Sequence, residues 1–87
     1  MQPDPKASYA VIRYNFRTYE PGGVMAVIKG LPNAESILKQ FERTQSSEDR
    51  NAGWRYFLEK TDLRPGMDPQ EATNLRQARL EMRESQA

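Results

Sequence analysis

Alternating apolar and polar positions near the start of the chain predict a β-hairpin. Residues 8–18 are rich in β-branched and aromatic side chains, and most of the apolar ones share one parity. That parity carries Ala10, Ile12, Tyr14 and Phe16. A period of two is typical of a strand with one buried and one wetter face. The turn-forming sequence Pro21–Gly23 leads into a second apolar run, so we expect strands over about 8–18 and 23–30.

Apolar residues at helical spacing follow the hairpin and predict two or three short helices. One stripe consists of Ile37, Leu38 and Phe41, and a second consists of Trp54, Phe57 and Leu58. A further helix is indicated by Asp68 and Pro69, a capping residue followed by proline at the first helical position. We expect helices over about 33–44, 47–60 and 69–84.

The expected architecture is a single small α+β domain over residues 8–87, behind a disordered tail over residues 1–7. The tail contains two prolines and no apolar pattern. The last helix has only a narrow apolar stripe, formed by Leu75, Ala78 and Met82. Such a helix packs loosely, or becomes ordered only when it binds a partner.

Composition limits the available chemistry. The chain has 87 residues and contains neither cysteine nor histidine, which excludes disulfides, thiolate metal sites and histidine-based catalysis. Glu48 and Asp49 are adjacent carboxylates, but they stand at a predicted helix N-terminus, where the helix dipole favours acidic side chains. We therefore assign them no metal, and we expect a protein that is not an enzyme and has no cofactor.

The charge pattern favours no particular polyanionic partner. The formal net charge is +1, which indicates neither a nucleic acid nor an anionic membrane. No apolar run approaches the roughly 20 residues that span a bilayer. The first six residues also lack the cationic start and apolar stretch of a signal peptide. We predict a cytoplasmic protein without membrane contact.

The hairpin itself predicts a homodimer. A two-stranded hairpin is marginally stable alone, and at least one of its edges stays unpaired unless another segment covers it. Pairing the hairpins of two protomers would produce a four-stranded sheet, and a strand from another protein would have the same effect. The alternative is a monomer in which the N-terminal tail or a loop shields the edge.

The last helix predicts a surface for a partner protein. Arg76, Arg79 and Arg83 fall within one arc of this helix, and none has an acidic residue three or four positions away. Tyr56 lies off the apolar stripe of its own predicted helix and is expected at the surface. We predict that these four residues bind a partner that the sequence does not identify. The alternative is a solvated face near a helix C-terminus, where cations suit the dipole.

The wetter face of the hairpin supports a second hypothesis, a small nucleic-acid-binding protein. Its candidate residues are Tyr9, Arg13, Arg17 and Lys29. Aromatic rings stack on bases, and cations contact phosphates. The leading hypothesis remains a non-enzymatic interaction or regulatory module that homodimerises through the hairpin and binds its partner through the last helix.

Overall fold

The computed structural model describes residues 7–86, with side chains described to residue 83. The elements in chain order are β1 (Ser8–Asn15), β2 (Pro21–Lys29), α1 (Leu31–Thr44), α2 (Ser47–Ala52), β3 (Trp54–Thr61) and α3 (Pro69–Gln86). The predicted α+β class and N-terminal hairpin are confirmed. The predicted tail lies, apart from Ala7, outside the described residues.

The three strands form one antiparallel sheet in the order β2-β1-β3. β1 pairs with β3 without a register shift, from Ser8 opposite Thr61 to Asn15 opposite Trp54. Its pairing with β2 contains two irregularities, at which β2 has an extra residue. The outer edge of β1 is therefore occupied by β3 of the same chain, so this half of the hairpin is not open for a second hairpin.

The predicted helix over residues 47–60 is wrong beyond residue 52, because the chain forms a strand from Trp54 onward. Gly53 ends α2 in the left-handed conformation with φ of 107°, and its N–H donates to the carbonyl of Arg50. Trp54, Phe57 and Leu58 fit helical spacing, but an aromatic-rich segment also has a high strand propensity. Pairing with β1 decides between the two structures.

Helices cover both faces of the sheet. On one face, the core is a cluster of small and branched side chains from β1, β2, the β3–α3 loop and α3. Its buried members are Ala10, Ile12, Val24, Val27, Leu63 and Ala72. On the other face lie α1 and α2, where Ala34 is buried and Phe41 stacks on Tyr56. The wetter face predicted for β1 is therefore a covered face as well.

α3 contacts the sheet through a face other than its predicted apolar stripe. Ala72 is fully buried, whereas Leu75 is 38% exposed and Met82 is 61% exposed. Thr73 and Arg76 are half-buried on the same side as Ala72. The polar contacts described below favour this orientation over burial of the stripe. Within the described part of the chain, no helix combines the length and the apolarity needed to cross a membrane.

Candidate binding groove at the hairpin turn

One buried side chain, Asn15, fixes the turn between β1 and β2. Its carbonyl oxygen accepts hydrogen bonds from the N–H groups of Arg17 at 2.9 Å and Thr18 at 3.0 Å. Its amide nitrogen donates to the carbonyl of Ala52, at the end of α2, at 3.1 Å. Asn15 is only 3% exposed, so these bonds are made out of contact with water. The turn is thereby tied to α2 and held in one conformation.

This turn places two large aromatic side chains in solvent. Phe16 is 56% exposed and Tyr19 is 73% exposed. Tyr19 has φ of 64°, a left-handed conformation that is costly for any residue with a side chain. The ring of Phe16 meets that of Tyr14 edge to face, with 5.2 Å between the centroids. Strained backbone that carries exposed aromatic rings is typical of binding surfaces.

The aromatic rings form one wall of a groove that separates the hairpin turn from α3. The groove has a volume of about 860 Å³, which is within the range of ligand sites. Its aromatic lining consists of Tyr14, Phe16, Tyr19 and Phe57. The facing wall belongs to α3 and presents Gln70, Thr73, Asn74, Arg76, Gln77 and Leu80. An apolar wall thus faces a wall that offers hydrogen bonds.

The groove is close to neutral in charge. None of the described residues that line it is acidic, and each of its two arginines is paired with a carboxylate outside the lining. Arg76 donates twice to Glu59, from Nε to Oε2 at 2.8 Å and from Nη2 to Oε1 at 3.1 Å. On the α3 wall, Gln70 donates to the amide oxygen of Asn74 at 3.1 Å, which leaves the amide nitrogen of Asn74 as a donor. Such a groove suits an uncharged ligand with hydrogen-bond acceptors.

The second arginine of the lining, Arg13, belongs to a cluster on the α1 side of the sheet. Its guanidinium lies 3.8 Å from the ring centroid of Trp54, and its Nη2 is 3.1 Å from Oδ2 of Asp49. Asp49 also receives support at the start of α2, where its N–H donates to the side chain of Ser46. The cluster links β1, α2 and β3, and it accounts for Arg13 and Trp54 as structural residues.

The three arginines predicted to bind a partner do not form a free basic patch. Arg76 is paired with Glu59, and Arg79 donates to Asp62. Both acidic residues lie 17 positions earlier in the chain, beyond the helical neighbours that the sequence pattern tests. Arg83 is exposed. Two of the three guanidinium groups therefore attach α3 to β3 and to the loop that follows it.

Tyr56, the fourth predicted partner-binding residue, lies on the other side of the sheet from these arginines. Its ring stacks on Phe41 of α1, with the centroids 5.3 Å apart and an interplanar angle of 29°. The side chain is half-buried. The structure therefore does not join Tyr56 and the arginines into one surface.

The four residues of the nucleic-acid hypothesis are also separated. Tyr9 is only 6% exposed, because α1 covers this face of β1. Arg17 and Lys29 are exposed, but they lie at opposite ends of the hairpin. A strand of this length separates them by roughly 20 Å or more. Since Arg13 is held by Trp54 and Asp49, the four residues do not form a continuous basic and aromatic platform.

The groove itself was not predicted. The alternating pattern assigned Phe16 to the buried face of β1, but the strand ends at Asn15 and Phe16 enters the turn. Tyr19 lies in the same turn, beyond the end of β1. The available signal was the presence of two aromatic residues beside the turn sequence Pro21–Gly23, where burial is rare.

Among the described residues, no group of three or more acidic side chains is arranged to hold a metal ion. Comparison of the chain with protein-family models, with curated proteins and with solved structures finds no match.

Proposed function

We propose that this chain is a non-enzymatic interaction module whose groove binds an extended, uncharged segment of a partner protein. The observation that carries the proposal is the exposure of Phe16 and Tyr19, at 56% and 73%, on a turn that Asn15 holds rigid. Preorganised aromatic side chains lose little conformational entropy on binding. Such side chains are frequent among residues that dominate binding energy.

The proposed ligand follows from the two walls of the groove. Rings on the hairpin side would contact apolar or proline side chains, as aromatic-lined grooves do with extended peptides. Amide groups on the α3 side, such as that of Asn74, would donate to backbone carbonyls of the segment. A charged segment is disfavoured because Arg76 is already neutralised by Glu59. α3 therefore keeps the partner-binding role predicted for it, on a face that includes Arg76 but not Arg79 or Arg83. The predicted cytoplasmic location remains a prediction.

Selection from a displayed library of random peptides tests the proposal. Peptides retained by the native chain are measured by fluorescence anisotropy against the double variant Phe16→Ser/Tyr19→Ser. The matched control is Leu75→Ser/Met82→Ser, which removes two exposed apolar side chains of α3 that do not line the groove. Circular dichroism and thermal unfolding establish that both variants fold.

We expect the groove variant to raise the dissociation constant at least about 10-fold and the control to change it less than about 2-fold, as loss of central and peripheral contacts does. Failure of the library to yield any retained peptide would contradict the proposal. Equal losses in the two variants would also contradict it, and greater loss in the control would move the binding surface to the outer face of α3.

A further inference from the structure

Contacts from the loop before α3, from α3 and from α1 cover part of the outer edge of β2. The N–H of Val24 donates to the hydroxyl of Thr73 in α3 at 2.9 Å. The carbonyl of Val27 accepts from the N–H of Gly66 at 2.9 Å. The carbonyl of Lys29 accepts from the side chain of Asn33 at 3.3 Å. Together with the two irregularities in its register, these contacts leave β2 unsuited to pairing with another strand.

The outer edge of β3 differs from that of β2. The N–H of Asn15 donates to the carbonyl of Glu20, so the backbone groups of Asn15 point toward the β2 side of β1. In an antiparallel sheet, successive residues of a strand point their backbone N–H and C=O groups to alternate sides. Asn15 and Trp54 therefore face each other without exchanging backbone hydrogen bonds. The same holds for every second residue of β1 before Asn15 and its partner in β3. The backbone groups of those partners point away from β1. They are Trp54, Tyr56, Leu58 and Lys60.

Among these four positions, the structure closes only the first. The carbonyl of Trp54 accepts from the side chains of Gln45 at 2.9 Å and Arg55 at 2.7 Å. Within residues 7–86, no hydrogen bond from outside the sheet reaches the backbone of Tyr56, Leu58 or Lys60. A straight strand with unpaired N–H and C=O groups is a template for a further strand.

We propose that a second copy of this chain occupies this edge, so that two β3 strands pair antiparallel and two sheets of three strands become one. Phe57 lies on the twofold axis. Tyr56 and the partner's Leu58 then exchange backbone hydrogen bonds, and symmetry repeats the exchange, which gives roughly four bonds at the centre of the interface.

The side chains of β3 favour this register. With Phe57 on the axis, Arg55 lies directly opposite the partner's Glu59, and Trp54 lies opposite the partner's Lys60. Both contacts are attractive, since the first adds Arg55 to the ion pair that Glu59 makes with Arg76 and the second places a cation beside an aromatic ring. Moving the axis to Arg55 or to Glu59 would set like charges directly opposite each other. The strand is therefore self-complementary in charge about its central residue.

This inference goes beyond the proposed function, because the groove is formed within one chain and does not need the dimer. It also relocates the dimer that the sequence predicted. Among the described residues, β3 pairs with the outer side of β1, and contacts from Thr73, Gly66 and Asn33 cover part of the outer edge of β2. The edge left open belongs to a strand that the sequence pattern assigned to a helix.

Sedimentation equilibrium over a range of protein concentrations tests the inference in four proteins. They are the native chain, Arg55→Glu, Lys60→Pro and Arg64→Glu. Arg55→Glu sets a carboxylate against the partner's Glu59. Lys60→Pro removes an N–H that points away from β1 and blocks the edge, while it leaves the β1–β3 hydrogen bonds in place. Arg64→Glu makes the same charge change in an exposed loop residue and is the matched control.

We expect the weight-average mass of the native chain to rise from 10.1 kDa toward twice that value as concentration increases. Because the interface is small, its dissociation constant should be on the order of 10–100 µM. Arg55→Glu and Lys60→Pro should each raise it at least about 10-fold, and Arg64→Glu less than about 2-fold. Thermal unfolding of each variant shows that loss of the dimer is not loss of the fold.

Two results would overturn the inference. One is a native chain that stays at 10.1 kDa up to the highest concentration reached. The other is a dimer that all three variants form as well as the native chain does, which would place the interface elsewhere. Neither result bears on peptide binding by the groove, which is measured separately through Phe16 and Tyr19.

Discussion

The two outer strands of the sheet both carry backbone N–H and C=O groups that point away from the sheet, and they differ in how these groups are covered. In β2, the outward-pointing groups of Val24 and the carbonyls of Val27 and Lys29 are covered by side chains and by the loop that precedes α3, whereas β3 leaves most of its outward groups unpaired within the described chain. The difference arises from the path of the chain. The loop and α3 that follow β3 cross one face of the sheet toward β2. The outer edge of β3, the last strand in the sequence, is therefore the edge that they do not cover.

This contrast means that the two edges of the sheet differ in how many of their outward backbone groups have hydrogen-bond partners within the described chain. Thr73 of α3 accepts a hydrogen bond from the edge of β2, and Arg76 of the same helix attaches it to β3. The strand β3 has no bulge, and its charged side chains stand near its ends. The closed edge and the open edge each depend on one glycine with positive φ, at Gly66 and Gly53.

Gly53→Ala tests the start of the open strand and should have the largest effect. A Cβ at this position would lie 2.6 Å from Oδ1 of Asn15 and 2.7 Å from Cβ of Arg17, at φ of 107°. Asn15 cannot move away cheaply, because that oxygen already accepts two backbone hydrogen bonds. Backbone strain and overlap together should lower the free energy of unfolding by about 2–4 kcal/mol, measured by urea denaturation.

The same variant should disorganise the groove, since the turn that carries Phe16 depends on Asn15. The amide resonances of Arg17 and Thr18 in heteronuclear NMR spectra report this directly. A Gly53→Ala protein with native stability and unchanged shifts at these two residues would contradict the close packing of α2, β1 and the turn.

Thr73→Val tests the closed edge. Valine has the shape of threonine but leaves the N–H of Val24 without its acceptor, which should cost about 1–2 kcal/mol of unfolding free energy. Hydrogen exchange at the Val24 amide should accelerate in parallel. Thr44→Val is the matched control, because the Thr44 hydroxyl is exposed and bonds only carbonyls of its own helix. Its effect should stay within about 0.5 kcal/mol.

Equal losses of stability in Thr73→Val and Thr44→Val would mean that α3 does not close the edge of β2. An unchanged exchange rate at Val24 would give the same answer. The pair of variants therefore separates the tertiary hydrogen bond from the general effect of replacing a hydroxyl on a helix.

Local sequence patterns predicted the hairpin. The segment of β3 was predicted as a helix, because its strand structure depends on contacts with residues distant in the sequence. The alternation in β1 is a property of eight consecutive residues, and the Pro21–Gly23 turn signals where the chain reverses. Trp54, Phe57 and Leu58 satisfy helical spacing as well as strand propensity, so only pairing with β1 distinguishes them. Gly53 was the available signal, since a left-handed glycine commonly ends a helix.

The candidate site was less predictable than the fold for a related reason. Whether an arginine is free depends on acidic residues brought near by folding, and Glu59 lies 17 residues before Arg76. Phe16 was assigned to the core because its parity matched that of Ile12, yet the strand ends one residue before it. Burial at the end of an element is set by tertiary contacts, which a periodic pattern does not contain.

Gly66→Ala tests the loop that closes β2 and should have the smallest effect. Gly66 has φ of 80°, but a Cβ there meets no heavy atom within 4 Å, and the N–H that binds Val27 is retained. The cost is then conformational alone, about 1 kcal/mol in urea denaturation. Gly66→Asn should cost less than alanine, because asparagine adopts the left-handed region more readily. A loss as large as that of Gly53→Ala would show that crowding, rather than backbone conformation, governs both glycines.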